Sequence, residues 1–167
     1  MVLHDNLCER VGKWLNVKCE IISVKNHDVQ LKCTQSGRTI NGLMSIILHL
    51  SRQSPVPKAL GASLVEEAEI RQWLEFALIL FNLSNNGLVR RTMFKVLNEA
   101  LSSRTFLVGN RITVADVMMY QTLHSYLMDM SYGEKEQLMH LGRWFNFIQG
   151  DKMVRQDNKL ILIGRPL

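Results

Sequence analysis

The stretch Phe106–His124, FLVGNRITVADVMMYQTLH, decides how the rest of the chain is read. It places one carboxylate, Asp116, at the head of a run that is apolar nearly all round: Val114, Ala115, Val117, Met118, Met119, Tyr120, Leu123 and, further on, Leu127. Three readings of Asp116 are open: a catalytic carboxylate, a metal ligand, or local scaffolding. Thr113 stands three positions earlier, the spacing of a capping box, in which the threonine accepts the amide hydrogen of residue 116 and the carboxylate reaches back to the Thr113 amide. Ile112 and Val117 occupy the two positions of a hydrophobic staple. Gly109 and Asn110 supply the preceding turn. A helix that is apolar on every side belongs in the centre of a lobe, where an unpaired amide at its start is expensive. Losing such a cap costs on the order of 1 kcal/mol. Catalysis would need a partner, and His124 lies two turns along, roughly 12 Å by helical rise. No HExxH, glycine-rich phosphate loop or nucleophile elbow occurs. Ile112, Thr113, Asp116 and Val117 therefore read as architecture.

Outward from this helix the period stays helical. GEKEQLMHLGRWFNFIQ predicts one further helix after it, and the last residues predict a short helix before a tail whose LILI packs back. Before it, a helix is expected from about Leu88 to Leu101, with Arg90, Arg91 and Lys95 on its wet side. A longer one runs through Trp73, Phe76, Ala77 and Leu80, opened by Ser63 three residues before Glu66. SPVPKALGAS, with Pro55, Pro57 and Gly61, reads as a linker. The domain division expected is thus residues 1–54, a linker 55–62, and 63–167.

The first part is patterned differently. Leu3, Leu7, Val11, Trp14 and Leu15 step as an amphipathic helix, with Gly12 weakening its last turn. VKCEIISV and DVQLKCT read as two strands around the turn KNHD, and SGRTIN as a break. GLMSIILHLSRQ reads as a helix, with Asn41 as its cap and Leu43, Ile47 and Leu50 along one face. Two strands make a poor sheet, so either a third is hidden or the helices cover them.

Composition excludes more than it selects. The 167 residues are 47% hydrophobic and 21% charged, as in an ordinary folded protein. The formal net charge of +5 allows an acidic partner, but the 20 basic residues form no block of like charge and no nucleic-acid motif accompanies them. Cys8, Cys19 and Cys33 are odd in number and form no CxxC pair. They fit a reducing compartment, with a Cys19–Cys33 bridge across the hairpin as the alternative. The start carries Asp5 and Glu9 and reads as no signal peptide, and no run reaches the roughly 18 apolar residues of a membrane span. Cytosol, with the nucleus also open, is expected.

Leu107, Gly109, Thr113, Ala115 and Asp116 match, in register, the L-x-G-x-x-x-[ST]-x-A-D signature of the glutathione transferase fold, and the chain resembles that family. LVEEAEIRQWLEFAL, TVADVMMYQTLH and GRWFNFIQ resemble its translation-associated, non-enzymatic branch, most strongly between Asn41 and Gln149. The resemblance implies a glutathione transferase-like fold, with a small, reduced thioredoxin-like α/β N-terminal lobe followed by an all-α C-terminal lobe. It implies no cofactor and no metal. Transferases of this family carry a Tyr, Ser or Cys after a first strand, a cis-proline and a polar pair gripping glutathione. Here the first part reads as a helix, HDVQLKC contains no proline, and TINGL stands where the pair would be. Cys8 on a helix face reads as a packed side chain.

By the same resemblance the chain is a scaffold subunit. It would dock the glutathione transferase-like domains of methionyl-tRNA synthetase through one face and of glutamyl-prolyl-tRNA synthetase through another. Ile46, Leu50, Glu67, Arg71 and Leu74 are the residues expected at the first face and Arg143, before Trp144 and Phe145, at the second. The bland alternative makes Trp144 and Phe145 core and Arg143 a solvated cap. Gly142 favours the interface, since it admits another backbone closely. Two other functions compete: residual glutathione binding or transfer, and a basic tRNA adaptor using Arg90, Arg91, Lys95, Arg104 and Arg111.

Overall fold

A computed structural model describes residues 3–18, 21–25, 28–32, 39–82 and 86–163. Its centre is α5 (Val114–Asp129), buried from Val114 through Tyr120 without a break. Thr113 is its N-cap and Asp116 closes a capping box with it. The carboxylate does more than the box requires. Oδ2 accepts from the Thr113 amide and hydroxyl, both at 3.0 Å, while Oδ1 accepts from the Leu107 amide at 3.0 Å and from Trp144 Nε1 at 2.9 Å. Burial pushes this carboxyl above its ordinary value, and the bonds from Leu107, Trp144 and Thr113 pull it back. Val117 is fully buried and Ile112 packs on the core, as a staple requires.

Two further elements are tied to the same helix end. The Val114 amide donates to Ala59 O at 3.1 Å, so the proline-bearing connection lies against the core with Ala59 buried. Helix α3 (Leu64–Asn82) starts where Ser63 Oγ accepts from the Glu66 amide at 3.2 Å. The Glu66 carboxylate does not return to Ser63. It accepts from the Ala62 amide at 2.6 Å and from Arg111 Nη1 at 3.0 Å, clamping α3 to the turn before α5. Gly109, at φ +62, lies under this clamp: a Cβ there would sit 3.1 Å from Glu66 Oε1.

Helix α4 (Gly87–Ala100) is capped by Asn86, whose Oδ1 accepts from the Leu88 and Val89 amides. The single helix expected over Gly133–Gln149 is two: α6 (Tyr132–Glu136), with a Ser131–Glu134 capping box, and α7 (Met139–Gly150). Leu138, the N-cap of α7, offers no side-chain acceptor. Asn98 on α4 supplies it, its Oδ1 accepting from the His140 and Leu141 amides at 3.0 Å. That distant cap is why the sequence carries no local sign of the break.

The first part of the chain is α1 (Leu3–Leu15), strands β1 (Ile21–Lys25), β2 (Asp28–Lys32) and β3 (Thr39–Asn41), and α2 (Leu43–Gln53). The strands form an antiparallel meander, β1-β2-β3. The break expected at SGRTIN therefore ends in the missing third strand, with Ile40 opposite Leu31. Asn41 belongs to that strand, and Gly42 rather than Asn41 is the N-cap of α2. Cys19 and Cys33 lie outside the described residues, as does the middle of the KNHD turn. Helix α1 packs against both α2 and α5. Ser54 Oγ donates to Leu15 O at 2.6 Å, and Arg10 pairs with Asp157 at 2.8 Å, so the end of α2 and the last part of the chain are both tied to α1.

The last described stretch follows α8 (Lys152–Arg155). Of LILI, Ile161 and Ile163 pack into the core while Leu160 and Leu162 face outward. Ile163 lies on Gly142: a Cβ at 142 would meet its Cγ2 at 2.5 Å. The close approach that Gly142 permits is that of the chain's own tail, not of a partner's backbone.

Three outcomes follow from these contacts. In Asp116→Asn an amide NH2 must face donors, so the substitution is expected to cost about 3 kcal/mol in urea unfolding. Gly142→Ala should leave helix content unchanged but speed hydrogen exchange at the Ile161 amide, because Ile163 must move. The Ala62 amide and the Arg111 guanidinium hold the Glu66 carboxyl below its ordinary value. Its contribution is present above the unfolded carboxylate value and lost as pH falls through the lower folded one. The melting temperature of Glu66→Gln should accordingly fall less steeply with acid than that of the parent.

Candidate functional site

The outward side of α7 carries Met139, Arg143, Asn146 and Phe147, which recur at three- and four-residue steps and so form one stripe. Met139 is 71% exposed and Phe147 56%. The other side of the same helix sends Leu141, Trp144, Phe145 and Ile148 into the core. Phe147 meets the Phe106 ring edge-on at 5.5 Å, joining the stripe to the loop before α5. Lys135, Glu136, Met139, Gly142, Arg143, Asn146 and Ile163 line an open groove of about 580 Å³ along it.

Arg143 is exposed, yet its guanidinium already has work within the chain. Nη2 donates at 2.7 Å to Leu101 O and at 2.7 Å to Arg104 O, closing the C-terminal end of α4. It thus combines the cap of the bland reading with an exposed position in an apolar stripe. Trp144 and Phe145 are core. The bond from Trp144 to Asp116 is absent from any reading of local sequence, since 28 positions separate the two residues.

The other expected face fares differently. Ile46, Leu50 and Leu74 have 0%, 1% and 0% exposure; they belong to the chain's own core and offer no surface. An apolar helix position predicts burial without saying in which molecule. Glu67 and Arg71 stay outside, joined by Arg52: Glu67 Oε1 accepts from Arg71 Nη2 at 2.8 Å and from Arg52 Nη2 at 3.2 Å. These bonds hold the Glu67 carboxyl below its ordinary value, Arg71 contributing most. Leu64 and Val65, at the start of α3, are exposed beside them in sequence.

Four of the five basic residues considered for RNA are engaged within the chain. Arg111 pairs with Glu66, Arg104 with Glu69 at 4.0 Å, and Arg91 with Glu134 at 3.8 Å. Arg90 lies over the Tyr126 ring at 5.7 Å. Cys8 is fully buried on α1. Among the described residues no His, Cys, Asp and Glu side chains assemble as a metal site, and no helix is long and apolar enough to cross a membrane.

Comparison with known proteins places this geometry. The family model described as nuclear-export cofactor Arc1p matches residues 66–152, the span from the Glu66 clamp through α7. Eukaryotic translation elongation factor 1 epsilon-1 of Mus musculus is 34% identical over 123 residues, 74% of this chain and 71% of that protein. The bifunctional glutamate/proline–tRNA ligase of Mus musculus is 32% identical over 135 residues, 80% of this chain but 9% of the ligase. Among solved structures, the GST-like domain of elongation factor 1-gamma from Saccharomyces cerevisiae superposes with a TM-score of 0.70 at 15% identity, covering 99% of this chain and 95% of that one. The Asp116 node, the helices hung on it and these likenesses agree: the fold is that of the glutathione transferases, and the chain belongs to the Arc1p family together with elongation factor 1 epsilon-1.

Proposed function

We propose that the chain is a non-catalytic scaffold subunit of an aminoacyl-tRNA synthetase assembly, docking the glutathione transferase-like domains of glutamyl-prolyl- and methionyl-tRNA synthetases. The observation that carries the reading is the exposed α7 stripe of Met139, Arg143 and Phe147, set in a fold whose relatives include a glutamate/proline–tRNA ligase. An apolar stripe centred on an arginine suits a protein partner, because the planar guanidinium can stack and hydrogen-bond in one interface. The ligase domain is assigned to this stripe. The methionyl enzyme is assigned to the charged surface of Arg52, Glu67 and Arg71. Residues 1–54 act as a reduced thioredoxin-like lobe and 63–167 as the helical domain, working in the cytosol and also in the nucleus.

Absence of chemistry in this reading rests on the buried Cys8 and on Asp116, whose oxygens are committed to four internal donors. Co-migration in size-exclusion chromatography with each isolated synthetase domain is the direct check. Met139→Glu leaves every internal bond of α7 intact and should weaken the glutamyl-prolyl complex about tenfold or more while sparing the methionyl one. Arg71→Glu should do the reverse. If neither domain co-migrates with the parent chain, the scaffold reading fails. Glutathione titrated to millimolar concentration should release no heat of binding; a saturable signal would return the protein to the enzyme class.

A further inference from the structure

A β-strand alternates its main-chain groups as well as its side chains, so the N–H and C=O of neighbouring residues point to opposite lateral sides. The stretch Lys159–Ile163 follows this rule. On one side, Lys159 O accepts from His124 Nε2 at 2.8 Å, and Ile163 O accepts from Asn146 Nδ2 at 2.7 Å. Between them the Gln149 carboxamide takes both groups of Ile161, donating to its oxygen at 2.7 Å and accepting from its amide at 3.1 Å. One carboxamide can pair both groups of a residue when that residue is extended, as a neighbouring strand would pair it. Gln149, itself buried, therefore acts as a ladder partner supplied by a helix.

The residues between carry the other half of the pattern. Among the described residues, no hydrogen bond engages the main-chain groups of Leu160 or Leu162. Their side chains are 63% and 76% exposed. The tail, though not part of any sheet, thus has one edge filled by His124, Gln149 and Asn146 and the other open at Leu160 and Leu162. Such an edge is a template for an extended backbone.

Charge selects the occupant. Lys159, exposed, stands at the head of the edge, and residues 158–163 contain no acidic side chain. A second copy would bring a formal net charge of +5 against +5, which opposes pairing of the chain with itself. We propose that the Leu160–Leu162 edge is a β-augmentation site for an extended, alternately apolar segment of an acidic partner protein. Asn146 of the α7 stripe helps to fill the opposite edge, but the proposal does not rest on the function read from that stripe.

The test uses the full chain, isotopically labelled for NMR, and a short acetylated peptide of alternating Val and Glu. The peptide should shift the Leu160 and Leu162 amide signals and slow their hydrogen exchange. The same peptide N-methylated at alternate residues, or carrying Lys for Glu, should bind about tenfold more weakly or worse. Leu162→Pro removes a donor that makes no bond in the free chain, and the paired bonds of Ile161 to one carboxamide suit the extended conformation that a residue before proline needs. This variant should keep its melting temperature and lose the peptide. Equal binding by the N-methylated peptide, equal binding by Leu162→Pro, or no response to the Val/Glu peptide at millimolar concentration overturns the proposal. Protection of the two amides that rises with protein concentration alone assigns the edge to a second copy, and also overturns it.

Discussion

One buried carboxylate organises the molecule. Asp116 accepts from four donors contributed by the N-cap of its own helix, by the loop at Leu107 and by Trp144 on α7. A charge taken out of water is costly unless each lone pair finds a donor, so the three segments must arrive together. Once they do, the start of α5 is fixed, and Ala59 and Arg111 beside it receive the connection and α3. Helices α3, α5 and α7 are then placed with respect to one point rather than pairwise.

The same economy recurs at other helix ends. Asn98 of α4 caps the start of α7, and Arg143 of α7 closes the end of α4, so these two helices finish one another. Gln149, Asn146 and His124 do for the tail what a second strand would do. Polar residues spent on internal ends leave the outward faces to apolar and charged side chains. That division of labour leaves an apolar stripe on α7 and a charged surface at Arg52, Glu67 and Arg71.

The parts legible in the sequence were those whose physics is local. The capping box, the staple and the all-round apolar period of α5 lie within a few residues of each other, and they sufficed to reach the fold. Thr39–Asn41 escaped because three residues are too few to show alternation, and Asn41 looked like a cap only while its strand was unseen. The division between α6 and α7 escaped because the cap that makes it possible sits some forty residues away on α4. Ile46, Leu50 and Leu74, expected at a docking face from the family resemblance, lie in the core, which no local pattern could tell. Periodicity identifies an apolar face, but whether that face meets the same chain or another is a tertiary fact. Gly142 shows the same limit, since the residue promised a close approach and only the fold could say that Ile163 makes it.

Because the first turn of α7 is satisfied by Asn98, the residues that precede it are released from the duty of starting that helix. The stretch 131–137 carries its own small capping box and none of its residues is buried. Its length can therefore drift, by insertion or deletion, while α7 keeps its register on Asp116 and its exposed stripe keeps its aim. In related chains this is where variation in length should collect, outside the helices that the core holds in place.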